Sequence, residues 1–308
     1  MGGARWDEDD WKRTAKATVG KRTEDIFTSS GMHPKLNPYD VVRESRDSLV
    51  NPDSNAIIIG LDVTGSMGII ADTMAREGLG ILVEEILKRK PVSDPHILAC
   101  GIGDAYCDDA PLQVTQFEAD IRIADQLKMI WLEKGGGGNS HESYHLPWYF
   151  AAQHTQIDCF EKRSKKGYLF TVGDEEPPEE LLAAHAKAIF GDSLQRDLSV
   201  HELLTLVSRS YHVFHVVVEE GNYARAYLPQ VLDKWKKLLG QRVLRLKDYR
   251  RLAEVVVSAI EVNEGRDREA VTRSWSGDTS VVVAHALGTL PATTATSTVD
   301  KLRALVRF

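Results

Sequence analysis

Four short apolar runs constrain this chain more than any other feature: AIIIGLD at 56–62, HILACGIGD at 96–104, GYLFTVGD at 167–174 and YHVFHVVV at 211–218. Unbroken apolarity, rather than alternation, is what a strand buried on both faces requires. Shorter strand-like runs stand at 112–117 (LQVTQF) and 242–247 (RVLRLK). Between them the spacing of apolar residues predicts helices over 66–90, 119–132, 141–155, 177–190, 224–239 and 248–262. Strands alternating with helices imply an α/β protein with a doubly wound, mainly parallel sheet covered on both faces.

The 308 residues divide, on this reading, into an N-terminal arm (1–52), an α/β domain (53–262) and a C-terminal extension (263–308), partly loose because TLPATTATST is low in complexity. No apolar run is long enough to cross a bilayer, so no membrane partner is expected. The start, MGGARWDEDDWKR, is acidic where a secretion signal needs a basic end and an apolar block. Three cysteines without C-x-x-C spacing suit reduced thiols, and together these features point to a cytoplasmic protein.

In a sheet of this kind, ligands bind beyond the carboxyl ends of the strands, where loops and helix N-termini converge. Three segments bring oxygen donors there. In GLDVTGSMG, Asp62 closes the first strand, Thr64 and Ser66 follow at alternate positions, and Gly65 permits a tight turn. The glycine loop GGGGNS spans 135–140, and Asp174 follows the third apolar run in TVGDEEP. Carboxylates with hydroxyl or amide oxygens, and no need for thiolate or imidazole, suit a hard cation: Mg2+ first, with Mn2+ or Ca2+ as alternatives.

Asp62-x-Thr64-Gly65-Ser66 after a buried strand resembles the metal-ion-dependent adhesion site of von Willebrand factor type A domains, over about residues 53–262. The resemblance implies a Rossmann-like fold with Asp62, Thr64 and Ser66 as direct Mg2+ ligands and Asp174 as a ligand, direct or through water. The family's loop Thr is missing here; Asn139 is the expected replacement, with Ser140 or a loop-held water as alternatives. GGGGNSHES is also similar to the GGGD-x-x-E pattern of some intracellular members, which aligns Asn139 with the Asp and Glu142 with the Glu. The implied function is a protein-interaction module, not an enzyme, in which a partner's Asp or Glu completes the metal shell. Bacterial and phage relatives further suggest an adaptor of a MoxR-type AAA+ ATPase, with self-association open to the arm and tail. A metal-dependent hydrolase and a structural or viral assembly scaffold are the alternatives.

Other motifs have plainer explanations. His141-Glu142-x-x-His145 is the written form of a zinc-protease helix. It follows a glycine loop directly, Pro147 comes two residues later, and no third histidine stands downstream at the required spacing, so a helix start near His141 with Glu142 capping its amides is expected instead. Asp104, Asp108 and Asp109 read as a solvated acidic loop, and His212 and His215 as core histidines. The basic stretch 234–251 with Trp235 and Tyr249 reads as a solvated face, since the net charge of −7 argues against a nucleic-acid partner. Neither G-x-S-x-G nor G-x-x-x-x-G-K-[ST] occurs.

Overall fold

The computed structural model describes residues 29–65, 67, 69–74, 79–133 and 141–291. Its strands are β1 (Arg43–Ser45), β2 (Asn55–Asp62), β3 (Pro95–Ile102), β4 (Leu112–Val114), β5 (Thr155–Ile157), β6 (Gly167–Gly173), β7 (Glu180–Leu181), β8 (Leu198–Ser199), β9 (Tyr211–Val218) and β10 (Val243–Leu246). Its helices are α1 (Ile69–Thr73), α2 (Leu79–Arg89), α3 (Arg122–Leu127), α4 (His145–Gln153), α5 (Asp158–Glu161), α6 (Ala183–Phe190), α7 (Val200–Val207), α8 (Asn222–Leu239), α9 (Leu252–Asn263), α10 (Arg268–Arg273) and α11 (Gly277–Leu287).

The central sheet has the order β10-β9-β6-β2-β3-β4, and every neighbouring pair is parallel except β3 with β4. Counting only its strands along the chain, the spatial order is 6-5-4-1-2-3, that of a doubly wound sheet. The continuous apolar runs are explained by burial on both sides. Ile57, Ile59 and Leu61 join one core with α2, α9 and α11, whereas Ala56 and Ile58 join the other with α4, α7 and α8. The order reverses between β2 and β6, so the crevice of the fold opens beyond Asp62 and Gly173.

Element ends differ from expectation in several places, for identifiable reasons. The expected strand 112–117 is antiparallel and short: beyond Val114 the Ala99 amide donates to the Thr115 hydroxyl in place of a strand carbonyl. Gln113 on β4 uses its side-chain amide like a strand, donating to Trp131 O (2.9 Å) and accepting from Trp131 N (2.8 Å). The 119–132 helix is confined to α3, and the 66–90 pattern is realised as α1 and α2, with residues 75–78 outside the described set. Pro177 and Pro178 do not begin a helix: β7 pairs with β8 first, and α6 starts at Ala183. The 141–155 helix begins only at His145, so Glu142 does not cap it. Pro147 fits as the third residue of α4 because amides of the first turn have no helical acceptor to lose.

Residues beyond 262 are more structured than the composition suggested. Helices α10 and α11 place Val271, Val283, Ala286 and Leu287 in the first core, and residues 292–308 lie outside the described set. Of the arm, 29–52 is described: Leu36 is buried in that same core, and β1 pairs in parallel with β5.

A clamp ties α2 to α9. Arg89 donates from Nε and Nη2 to the two oxygens of fully buried Glu261 (3.0 and 2.9 Å), bonds Ser274 Oγ (2.7 Å) and lies 4.0 Å from the Trp275 ring centre. Arg266 also reaches Glu261, at 2.7 Å. Breaking a buried pair leaves an uncompensated charge, here softened by Arg266, so Arg89→Ala is expected to cost about 2–4 kcal/mol in chemical denaturation. A loss below ~1 kcal/mol would show that Arg266 compensates Glu261 alone.

Candidate metal centre at the sheet switch point

Asp62 is the last residue of β2 and is fully buried. Its Oδ1 accepts from Thr64 N (2.9 Å) and Thr64 Oγ1 (2.6 Å), an Asx-type turn that the Asp-x-Thr spacing builds locally. Its Oδ2 accepts from the Tyr144 hydroxyl at 2.7 Å. Across the switch point, Asp174 follows β6, and its Oδ2 accepts from Tyr223 N (2.8 Å) in the first turn of α8, where the helix dipole favours a carboxylate. Gly221 makes this possible, because a Cβ there would lie 2.3 Å from the Asp174 Cβ.

Of the five expected ligands, Asp62, Thr64 and Asp174 therefore share the edge where the fold places its crevice. Ser66 and Asn139, with the alternative Ser140, lie outside the described residues.

Two neighbours stand beside these ligands: Glu142, which the sequence aligned with the Glu of the GGGD-x-x-E pattern and otherwise read as a helix cap, and Tyr144, which sequence reasoning missed. Glu142 is buried beside the site, and its Oε2 has no hydrogen-bond partner. Burial, and then the charges of Asp62, Glu175, Asp104 and Asp108, push its carboxyl well above the usual range. Tyr144, the residue before α4, is the second. Asp104 also departs from expectation: it is fully buried rather than solvated, accepts from Tyr106 N (3.1 Å) and the Cys107 thiol (3.3 Å), and donates its own backbone N–H to Asp108 Oδ2 (2.7 Å). Asp109 remains exposed.

Burial first, and then the charge of Asp174, raises the Asp62 carboxyl above its ordinary value, against the lowering effect of its bonds to Thr64 and Tyr144. Among the described residues no Lys, Arg or His forms an ion pair with Asp62. Glu176, by contrast, is neutralised by Lys234 and further bonded by Gln230 and the Tyr223 hydroxyl.

A hard cation fits what is present. Thr64 Oγ1 and Asp62 Oδ1 stand 2.6 Å apart, near the ~2.9 Å edge of an octahedron with Mg2+–O distances of about 2.05 Å. The donors are oxygens, the class a hard cation takes, and among the described residues no cationic side chain pairs with Asp62. Among the described residues no three His, Cys, Asp or Glu side chains group as a metal site by themselves, so binding here relies on hydroxyl and water oxygens as well.

The HESYH pattern does not make a protease helix. His141 lies in an isolated bridge with Glu176, while His145 opens α4, so the two imidazoles are not on one helix face. His145 is buried with both ring nitrogens lacking hydrogen-bond partners. His215 is a core histidine: it shares a 2.8 Å hydrogen bond with Thr171 and stacks on Trp235 at 3.6 Å. In the basic stretch, Trp235 is buried, and Lys234, Lys237, Arg245, Arg250 and Arg251 all form ion pairs.

No protein-family model matches the chain, and no curated protein matches it. Similar solved structures include the open conformation of the pilus adhesin SpaC from Lactobacillus rhamnosus GG, at 8% identity and TM-score 0.45, covering 72% of this chain and 31% of the adhesin. Proximal thread matrix protein 1 from the mussel byssus is 10% identical with TM-score 0.42, covering 73% of this chain and 48% of that one. A von Willebrand factor type A protein from Catenulispora acidiphila is 12% identical with TM-score 0.35, covering 76% and 50%. The chain thus spans a third to a half of the length of these structures. Among the described residues no helix is long and apolar enough to cross a membrane.

Proposed function

We propose that the chain is a von Willebrand A-type interaction module that holds Mg2+, or a similar hard divalent cation, at the switch point. The observation that carries this reading is the meeting of Asp62 and Thr64 at the end of β2 with Asp174 at the end of β6, on the two strands between which the order reverses. Asp62, Thr64, Ser66, Asn139 and Asp174 would hold the ion, which supplies a positive centre for an acidic side chain. A carboxylate of a protein partner is the ligand class such a centre takes in a charge-assisted contact. An AAA+ ATPase of the MoxR type is the partner class suggested by the motif resemblance, with this chain as its adaptor. The reading assigns no catalytic step to the chain.

The test is a Mg2+ titration of unfolding, paired with elemental analysis. A ligand that binds only the native state stabilises it by about 2.7 kcal/mol at one hundred times Kd. Wild type is expected to show that rise, and Asp62→Ala is expected to show none while remaining folded. Equal responses in both proteins, or stoichiometric zinc without a Mg2+ response, would overturn the reading.

A further inference from the structure

We propose that His154 is a proton-operated latch that holds the N-terminal arm against the domain and releases it as the pH rises. The inference is independent of the metal-binding reading above.

The arm is fastened at and around this residue. Arg43 N donates to His154 O (2.9 Å) where β1 meets β5, and Val41 O accepts from the ring at Nδ1 (3.1 Å). Beside them Asp40 N donates to Phe190 O (3.0 Å). The other ring nitrogen, Nε2, meets Asp192 Oδ2 at 2.8 Å, and the Tyr149 hydroxyl donates to the same oxygen at 2.5 Å. The imidazole is buried and lies nearly parallel to the rings of Phe150 (5.6 Å) and Phe190 (5.3 Å).

The partners fix the protons. A carbonyl oxygen only accepts, so Nδ1 carries a hydrogen. The contact between Nε2 and Oδ2 needs a second proton, because without it two acceptors would face each other at 2.8 Å. The closed latch therefore holds one proton more than a neutral imidazole beside a carboxylate. Its place suits that charge, since His154 caps the C-terminus of α4, where the helix dipole favours a cation. Ionisable side chains on the surrounding elements are His145, His185, Lys187, Asp40, Arg43 and Glu44, yet Asp192 is the charged group that bonds the ring. Arg43 turns its guanidinium to Thr115 O (3.1 Å) and Lys35 O (2.9 Å). Burial holds His145 and His185 toward the neutral form and pushes the Tyr149 phenol up, so the proton in question belongs to the pair of His154 and Asp192. Because closure binds that proton, closure is favoured at low pH and lost as the pH rises. Opening uncovers β5, whose strand partner among the described residues is β1.

Deuterium exchange of the full chain, read at single amides by NMR and divided by the intrinsic rate at each pH, follows the latch. From pH 5.5 to 8.5 the protection of the Arg43 and Asp40 amides is expected to fall about tenfold or more in wild type. That of Gly167, whose amide bonds Ser210 O at 2.9 Å, should stay. Asp192→Asn separates a latch from a plain contact: its amide nitrogen can donate to a neutral Nε2, so arm protection should be equal at the two pH values. Unchanged arm protection in wild type, a fall shared by Gly167, or an Asp192→Asn protein that responds like wild type would each overturn the proposal. His154→Phe keeps a ring against Phe150 and Phe190 but cannot latch, and its arm at pH 5.5 should be no better protected than that of wild type at pH 8.5. Full protection of the arm in that variant would equally overturn it.

Discussion

Gly173→Ala is expected to destabilise the protein by about 3–5 kcal/mol. The added Cβ would stand 2.1 Å from the Tyr144 hydroxyl and 2.6 Å from two of its ring carbons. A flexible surface side chain would move away cheaply, but this ring is enclosed by His215 and Trp235. The phenol must therefore shift as a body, and Asp62 Oδ2 and the Glu175 amide lose their partner. Chemical denaturation checks the magnitude, and a double-mutant cycle checks the cause: in a Tyr144→Leu background the same Gly173→Ala change should cost less than ~1 kcal/mol. Equal costs in both backgrounds would mean that something other than the Tyr144 contact requires glycine there.

The second large effect concerns acid. His145 is held neutral by burial, with smaller contributions from His185 and His141, and its pKa is pushed down to about 3. In the unfolded chain it returns to about 6.5. Between those values the unfolded state binds a proton that the native state refuses, so the contribution of His145 to stability is complete above pH ~6.5 and is lost as the pH falls toward ~3. The slope is about 1.4 kcal/mol per pH unit for one proton. His145→Leu removes that proton and leaves no ring nitrogen buried without a partner, so at pH 4 the variant should be more stable than wild type by roughly 3 kcal/mol beyond any difference at pH 7.5. Parallel stability curves for the two proteins between pH 7.5 and 4 would refute the assignment. His215, which burial pushes down as well, should keep part of the acid sensitivity in both.

Much of the fold was legible because a strand covered on both faces must be apolar at every position, and AIIIGLD, GYLFTVGD and YHVFHVVV have little other use. Asp62, Thr64 and Asp174 were legible for a related reason: a carboxylate closing a buried strand is at the crevice by topology alone. Glu142 was legible only through the GGGD-x-x-E alignment, and Tyr144 not at all, because a helix expected from His141 turns this loop into a first turn. A usable signal was present in Pro147, which is tolerated only in a first turn and so places the helix start within about three residues before it. The helices after Gly265 were hidden by local polarity. Asp267, whose side chain accepts Ala270 N at 2.8 Å, is a legible cap, but the pull that orders α10 and α11 comes from Val271, Val283 and Leu287 meeting residues far away in sequence.

The pairing of Gln113 with Trp131 has a consequence for how copies of this chain can meet. An open strand flank is a template on which a second molecule can continue the sheet. Over the face of β4, the Gln113 amide and the backbone of Trp131 complete a two-bond pair of this kind with a side chain in place of a strand. At the opposite flank, Thr289 Oγ1 donates to Val243 O at 2.7 Å. A second molecule continuing the sheet at β10 would therefore have to leave the Val243 carbonyl to Thr289 or break that bond first, which sets the pairing that can be added there.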